Sequence, residues 1–205
     1  MKFSIIIPAH NAESYIRKAL DSIKSQTFTD YELIVVCDKC TDNTQKVAEE
    51  YGAITKAVNF GQDGYTRNVG IEMAQGDWVL FMDDDDWWLH EYVLEQLNTK
   101  LTENPNIDVL CFSFIFKHWK YASPRGNDGC RWIAVWNKCW RREFIGNTRF
   151  SNRYSKSDVD FNNGMMGKNP RILDWDMPMY YYNYLREGSI SELTHREWAK
   201  KAGIK

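Results

Sequence analysis

Residues 3–37, FSIIIPAHNAESYIRKALDSIKSQTFTDYELIVVC, decide the fold because they contain a strand, a helix and a second strand in succession. Residues 3–7, which end in three consecutive isoleucines, predict a buried strand stopping at Pro8. Residues 12–25 carry apolar side chains at helical spacing, and residues 31–37 are again rich in β-branched types. A unit of this kind predicts two parallel strands joined by a helix that packs on them.

The same unit repeats through the first half of the chain. The pattern predicts a helix carrying Val47, Ala48 and Tyr51, then a strand at 53–58, a helix at 65–74, a strand at 77–82 and a helix at 90–101. Alternating strands and helices predict an α/β fold with a Rossmann-like, mostly parallel central sheet flanked by helices. In such sheets ligands bind outside the carboxyl ends of the strands.

After Asn106 the sequence becomes rich in aromatic residues. Strands are predicted at 109–117, 131–136 and 178–185, with helical pieces near Glu143 and Asp158. These elements predict a smaller mixed or antiparallel part at the carboxyl end. Because no low-complexity linker separates the two parts, we expect a single domain over 1–205.

Composition excludes several classes of partner. A formal net charge of -2 over 205 residues gives no general electrostatic reason to bind nucleic acid or an anionic membrane. No apolar run approaches the length of a membrane span, and the first ten residues do not resemble a signal peptide, so a cytoplasmic protein is expected. The five cysteines predict reduced thiols, and the Cys37/Cys40 pair lacks the second close pair that a zinc motif needs.

Residues 83–86 are four consecutive aspartates, followed by Trp87 and Trp88. At roughly 6 Å and an effective dielectric constant of about 20, each adjacent pair of charges repels by about 2 to 3 kcal/mol. Alternation along a strand would place Asp83 and Asp85 on one side and Asp84 on the other. Two convergent carboxylates suit Mg²⁺ or Mn²⁺, which take further ligands from water and phosphates.

Three alternatives for the acidic run were weighed. A solvated acidic turn fits the aspartates, but the two tryptophans are poor choices for an exposed turn. An EF-hand loop beginning at Asp84 would have Leu89 where glycine is needed. A phosphatase of the haloacid-dehalogenase type would place its D-x-D near the amino-terminal strand, whereas this motif lies mid-chain. No glycine-rich phosphate loop occurs, so a metal would have to neutralise bound phosphates.

Five ordered segments closely resemble the family-2 glycosyltransferases of the GT-A fold. They are residues 3–44, the segment GQDGYTRNVGIEMAQGDWVLFMDDDDWW at 61–88, VWNKCWRREFI at 135–145, SDVDFNN at 157–163 and YYYNYLREGSIS at 180–191. The resemblance implies that residues 1–104 form the nucleotide-binding half and residues 105–205 the half that holds the acceptor and the catalytic base.

Carried onto this chain, the resemblance implies a nucleotide pocket around the first two strand ends. Asp38 would reach the base, and Arg67, in the TRN that matches the family's A-R-N, would lie near the base and diphosphate. Cys37 stands where the family commonly has a first aspartate. The remaining residues implied to line the pocket are Pro8, His10, Asn11 and Glu13.

The acidic run matches the family's D-x-D. Asp83 is implied to lie toward the ribose and the metal, Asp85 toward the metal and diphosphate, and Asp86 near the sugar or acceptor with a catalytic role. Asp158 matches the family's catalytic base, although Ser157 stands where glutamate is usual. Asp160 is therefore kept as the alternative base, and Arg186 or Ser189 is expected within reach of the diphosphate.

The function that the resemblance implies is a metal-dependent, inverting glycosyltransferase using Mn²⁺ or Mg²⁺. It would move a sugar from a nucleotide diphosphate donor, with a UDP-sugar expected, to the hydroxyl of a glycan or other acceptor that the sequence does not identify. A second hypothesis keeps the fold without catalysis, as a nucleotide-sugar or glycan binding protein. A third is another phosphate enzyme with an aspartate pair, such as a nucleotidyltransferase.

Overall fold

Strands and helices alternate through the amino-terminal half, as predicted. The computed structural model describes residues 1–116, 120–126, 131–153, 156–184 and 186. The first elements are β1 (Phe3–Ala9), α1 (Ile16–Lys24), β2 (Tyr31–Asp38), α2 (Thr44–Glu50), β3 (Ile54–Val58), α3 (Asp63–Met73) and β4 (Trp78–Phe81). They are followed by β5 (Trp87–Trp88), α4 (Val93–Glu103), β6 (Val109–Phe116), β7 (Lys120–Ala122), β8 (Lys138–Arg141), α5 (Arg142–Ile145), α6 (Ser157–Met166) and β9 (Ile172–Tyr182).

The strands of the described residues form one sheet in the order β3-β2-β1-β4-β8-β6-β9-β5, with β7 beside β6. The first four strands pair in parallel. Beyond β4 the sheet is mixed, because β8 is antiparallel to both β4 and β6 whereas β9 is parallel to β6. The predicted α/β class, with a parallel first half and a mixed carboxyl-terminal part, is confirmed.

Helices cover both faces of this sheet with separate apolar cores. On one face α1 and α4 contribute fully buried residues such as Leu20 and Leu97. On the other face α3 and α6 contribute Ile71, Phe161 and Met165. Burial of such side chains stabilises each by about 1.5 to 3 kcal/mol relative to exposure. Among the described residues, no helix is long and apolar enough to cross a membrane.

The prediction that the first strand stops at Pro8 is wrong, because β1 continues to Ala9. Proline lacks the N–H that a central strand needs. The amide of Met82 donates to the Ile6 carbonyl, so the backbone polar groups of Ile6 and, two residues further on, of Pro8 are directed toward β4. Because β4 ends at Phe81, opposite Ile6, no residue of β4 lies beside Pro8. The missing N–H of Pro8 therefore costs no hydrogen bond between the two strands.

The prediction of a strand at 131–136 is wrong, because this segment is a loop that precedes β8. The ammonium of the fully buried Lys138 donates to the carbonyls of Trp132, at 2.6 Å, and Ala134. These carbonyls are directed at the lysine instead of at a neighbouring strand. The other aromatic-rich strand, β9, begins at Ile172, earlier than predicted. Lys117 and Leu185, the predicted ends of two strands, lie outside the described residues, as do Cys130 and Ser189, the latter expected within reach of the diphosphate.

Candidate active site

The four aspartates form a turn at the carboxyl end of β4, which we call the acidic turn (residues 83–86). Its backbone closes with a 3.2 Å hydrogen bond from the Asp86 amide to the Asp83 carbonyl. The alternation expected of a strand therefore does not apply to these residues. The Asp84 carboxylate instead accepts the backbone N–H of His10 at 3.2 Å, at the end of β1.

Each carboxylate of the acidic turn has a different partner, which offsets the repulsion expected from the sequence. Two of the partners are arginines, and the others are backbone N–H groups and a tyrosine hydroxyl. The contacts are Asp83 with Arg67 at 2.6 Å, Asp84 with the His10 amide, Asp85 with Arg186 at 2.6 Å, and Asp86 with the Tyr180 hydroxyl and the Asn183 amide, both at 2.7 Å.

The electrostatics of the turn reflect burial of several like charges. Burial raises the pKa of Asp83 to about 6, with Asp158 and Asp85 acting in the same direction and Arg67 opposing them. Burial and the neighbouring carboxylates likewise raise the pKa of Asp84 and of Asp86 well above the usual range. The fully ionised turn is thus costly, and a cation bound beside it would lower that cost.

Arg67 joins the acidic turn to helix α6. Its side chain is buried, with one nitrogen 2.6 Å from Asp83 and another 3.6 Å from Asp158. Burial opposes the charge of Arg67, but the carboxylates of Asp158 and Asp83 outweigh it and raise its pKa above the usual range. The chain half that carries the aspartates and the half that carries the predicted base therefore meet at one guanidinium.

Asp158 and Asp160, the two candidates for the base, have different surroundings. Asp158 lies in the first turn of α6, with its side chain 30% exposed, and faces Arg67. Asp160 accepts a hydrogen bond from Ser151 and pairs with Arg153 at 2.8 Å. Of the two carboxylates, Asp158 is the one that the structure brings to the acidic turn. Which of them acts as a base remains a prediction.

Asp38, predicted to reach the base of the nucleotide, is 4% exposed and holds the loop between β3 and α3. Its carboxylate accepts the backbone N–H groups of Phe60, Gly61 and Gln62 at 2.7 to 2.9 Å, and the hydroxyl of Thr66 at 3.0 Å. Burial alone would raise the pKa of Asp38, but these hydrogen bonds leave it lowered. Direct contact with a base remains a prediction.

The residues after β1 connect its loop to the loop after β2. Asn11, in a left-handed conformation with φ 47°, accepts the Thr41 N–H at 2.8 Å. The carboxylate of Glu13 accepts both the backbone and the side-chain N–H of Asn43, at 3.0 and 2.8 Å. These contacts give Asn11 and Glu13 a structural role that the sequence does not show, and their place in a nucleotide pocket remains a prediction.

Pro8 and His10 lie at the carboxyl end of β1, beside the end of β2. Pro8 is buried, whereas His10 is exposed. Nδ1 of His10 lies 2.6 Å from the Asp38 carbonyl oxygen, which fixes the ring against the second strand end. The exposed imidazole is thus oriented at the edge of the sheet where a ligand is expected, and its contact with a nucleotide remains a prediction.

Tyr180 is a site residue that sequence reasoning missed, because its alternation along β9 also fits a strand with one packed face. Its hydroxyl is fully buried and contacts both ends of the acidic turn, accepting the Asp83 N–H at 3.1 Å and donating to Asp86. Asp86, predicted to lie near the sugar or acceptor, is itself 0% exposed. A buried tyrosine hydroxyl requires a partner, and that requirement was the available signal.

The residues present fit a divalent cation of the Mg²⁺ or Mn²⁺ type. Asp83 and Asp85 supply hard carboxylate oxygens, and such cations take one or two protein carboxylates with water and substrate phosphates. The described part of the chain holds no group of three or more His, Cys, Asp or Glu residues that would form an all-protein site. Cys37 and Cys40 are free thiols, with no disulfide between them.

Comparison with solved structures defines the class of fold. The structure of TarS from S. aureus in complex with UDP-GlcNAc superposes with a TM-score of 0.80 and 25% identity, over 94% of this chain and 61% of that chain. The mannosyltransferase PcManGT from Pyrobaculum calidifontis, solved with GDP-Man and Mn²⁺, gives a TM-score of 0.73 at 15% identity, over 97% of this chain and 61% of that chain. The fold is the GT-A fold.

Comparison of the sequence identifies the family. The profile of glycosyl transferase family 2 matches residues 4–168, so the chain belongs to that family. The glycosyltransferase GlyA of Streptococcus pneumoniae is 25% identical over an alignment that covers 96% of this chain and 32% of GlyA. The chain thus spans about a third of the length of that relative.

Proposed function

We propose that this chain is a nucleotide-sugar glycosyltransferase that transfers a sugar with inversion to an acceptor hydroxyl. The observation that carries the proposal is the placement of Arg67 between Asp83 and Asp158, at 2.6 and 3.6 Å. It puts a partly exposed carboxylate on α6 next to a carboxylate turn that fits a divalent cation. The TarS structure holds UDP-GlcNAc on the same fold, which favours a UDP-sugar as the donor.

Asp158 is the proposed general base. Its carboxylate accepts the proton of the acceptor hydroxyl while that oxygen forms a bond to the anomeric carbon of the sugar. The bond from the anomeric carbon to the diphosphate oxygen breaks on the opposite face, and the nucleoside diphosphate leaves with the electron pair. A direct displacement with one base inverts the configuration at the anomeric carbon.

Asp83 and Asp85 are the proposed ligands of the cation, which when bound supplies Lewis-acid stabilisation of charge on the diphosphate. Arg67 holds Asp83 and Asp158 at fixed separation, so it orients the base relative to the donor. Positioning of this kind contributes to rate because the reacting groups need no further reorganisation. The exposed His10 ring, fixed against β2, is proposed to contact the nucleotide at the end of β1.

The test is a thermal-shift and turnover panel with UDP-GlcNAc, UDP-glucose and GDP-mannose, each with and without MnCl₂. We expect one of these donors to raise the melting temperature in the presence of Mn²⁺, and slow hydrolysis of that donor. If no nucleotide sugar stabilises the protein with or without metal, the proposal is wrong. Stabilisation without hydrolysis or transfer to any hydroxyl acceptor would instead support a binding protein of the same fold.

A further inference from the structure

Two buried side chains, Asp86 and Tyr180, close the acidic turn from the side of β9. The Tyr180 hydroxyl accepts the N–H of Asp83 at 3.1 Å and donates to the Asp86 carboxylate at 2.7 Å. The amide of Asp86 donates in turn to the Asp83 carbonyl at 3.2 Å. These three bonds form a ring that links the first and last residues of the turn.

The second carboxylate oxygen of Asp86 connects this ring to the chain after β9. It accepts the N–H of Asn183 at 2.7 Å, directly after the end of the strand. Three residues further on, Arg186 contacts Asp85 at 2.6 Å and lies 4.0 Å from the centre of the Tyr15 ring. Asp86 therefore holds both the acidic turn and the start of the segment that brings the Arg186 guanidinium to Asp85.

Tyr180 itself is held rigidly. Its ring is fully buried and stacks on Trp136, with 4.8 Å between the ring centroids and 8° between the planes. A hydroxyl on a fixed ring sets the position of its hydrogen-bond partners within narrow limits. Since both oxygens of Asp86 are bonded and the residue is 0% exposed, it presents no surface to a sugar or an acceptor.

We propose that Asp86 and Tyr180 are positioning residues that fix the backbone of the acidic turn, so that the carboxylates of Asp83 and Asp85 converge on a divalent cation. The inference rests on the proposed function, and it replaces direct contact between Asp86 and the substrate. A site whose ligands are held by a rigid second layer binds its cation without reorganisation, and removing such partners commonly lowers metal affinity by about 10- to 100-fold.

The experiment measures Mn²⁺ affinity in the presence of saturating UDP, by the electron paramagnetic resonance signal of free Mn²⁺. The variants are Tyr180→Phe, Asp86→Asn and the double variant. We expect each single variant to weaken Mn²⁺ binding by about tenfold or more, and the double variant to be little worse than either, because both substitutions open the same ring.

Tyr51→Phe is the matched control, because the Tyr51 hydroxyl donates to Asp21 over the same 2.7 Å but on the surface. We expect it to bind Mn²⁺ like the wild type. Should Asp86→Asn fail to fold, Tyr180→Phe decides alone, since the phenyl ring retains the stacking on Trp136. Folded variants with wild-type Mn²⁺ affinity would overturn the inference. An Asp86→Asn variant that keeps wild-type Mn²⁺ affinity but loses turnover would also overturn it.

The same experiment separates this inference from the proposed function. Binding of Mn²⁺ by the wild type with UDP, together with unaffected variants, overturns the positioning role and leaves the transferase proposal standing. Absence of Mn²⁺ binding by the wild type with UDP overturns the metal site itself, and the positioning role with it.

Discussion

The guanidinium of Arg67 lies 2.6 Å from the carboxylate of Asp83, and both groups belong to the face where α3 meets the carboxyl end of β4. A second nitrogen of Arg67 is 3.6 Å from Asp158 on α6. The buried guanidinium of Arg67 thus lies between two carboxylates that come from different halves of the chain. Without it, the two partly buried negative charges would face each other.

Replacement of Arg67 by methionine is expected to lower the free energy of unfolding by about 2 kcal/mol, since it leaves two partly buried carboxylates facing each other without their shared partner. Urea denaturation followed by circular dichroism measures the loss. Arg17→Met is the control, because it removes an exposed pair with Glu50 at 3.3 Å and should change stability little. Equal losses in the two variants would show that the Arg67 bridge does not stabilise the fold.

Replacement of Asp158 by asparagine is expected to lower kcat by about 10²- to 10⁴-fold, with little change in the dissociation constant of the donor, because it removes the proton acceptor and leaves the contact of Arg67 with Asp83. Single-turnover kinetics and donor titration separate the two quantities. Asp160→Asn is the matched control on the same helix, since Asp160 pairs with Arg153 and Ser151. Normal turnover by Asp158→Asn would exclude it as the base.

Replacement of Asp85 by asparagine is expected to abolish the stabilisation that Mn²⁺ and UDP together give the wild type. A ligand at 100 times its dissociation constant stabilises by about 2.7 kcal/mol, so a thermal-shift assay resolves the loss readily. Asp30→Asn, at an exposed residue near the amino terminus, is the control and should retain the shift. Retention of the Mn²⁺-dependent shift by Asp85→Asn would remove Asp85 from the cation site.

Local pattern was sufficient to predict the elements that carry the site. The apolar period of α1 and the β-branched runs of β1 and β2 are each stretches whose burial follows from their own sequence. Because parallel strands end at one edge, the placement of Asp38 and the acidic turn directly after strands predicts that they lie at the same edge of the sheet. The motif resemblance added Arg67 and Asp158, which the structure brings together.

Partners that are distant in sequence were beyond prediction. Tyr180 contacts the acidic turn only because β9 lies beside β5 and β6 in the mixed part of the sheet, and no local pattern encodes that pairing. The loop at 131–136 was predicted as a strand because its apolar residues suit one. Its conformation depends on the buried Lys138, whose ammonium binds the carbonyls that a strand would direct at its neighbour. The sequence pattern alone does not reveal that this amine is buried.

Lys138 provides a pH test of that loop. Burial lowers the pKa of its ammonium to about 8 from 10.5. Because the folded pKa lies below the unfolded one, the unfolded chain binds more protons between these pH values, and the contribution of Lys138 to stability rises as pH increases through the window. The free energy of unfolding of the wild type relative to Lys138→Met should therefore rise between pH 8 and pH 10.5, by an amount on the order of 1 kcal/mol or more.

Urea denaturation of the wild type and Lys138→Met at pH 7.5, 9 and 10.5 measures this difference. Subtracting the two curves removes the titration of tyrosines and of other lysines that the proteins share. Lys168→Met is the control, because Lys168 also donates to two carbonyls, those of Phe144 and Ile145, but is exposed to water. We expect its difference from the wild type to be constant with pH. A constant difference for Lys138→Met as well would mean that the hydrogen bonds to the carbonyls of Trp132 and Ala134 fully offset the cost of burying the charge.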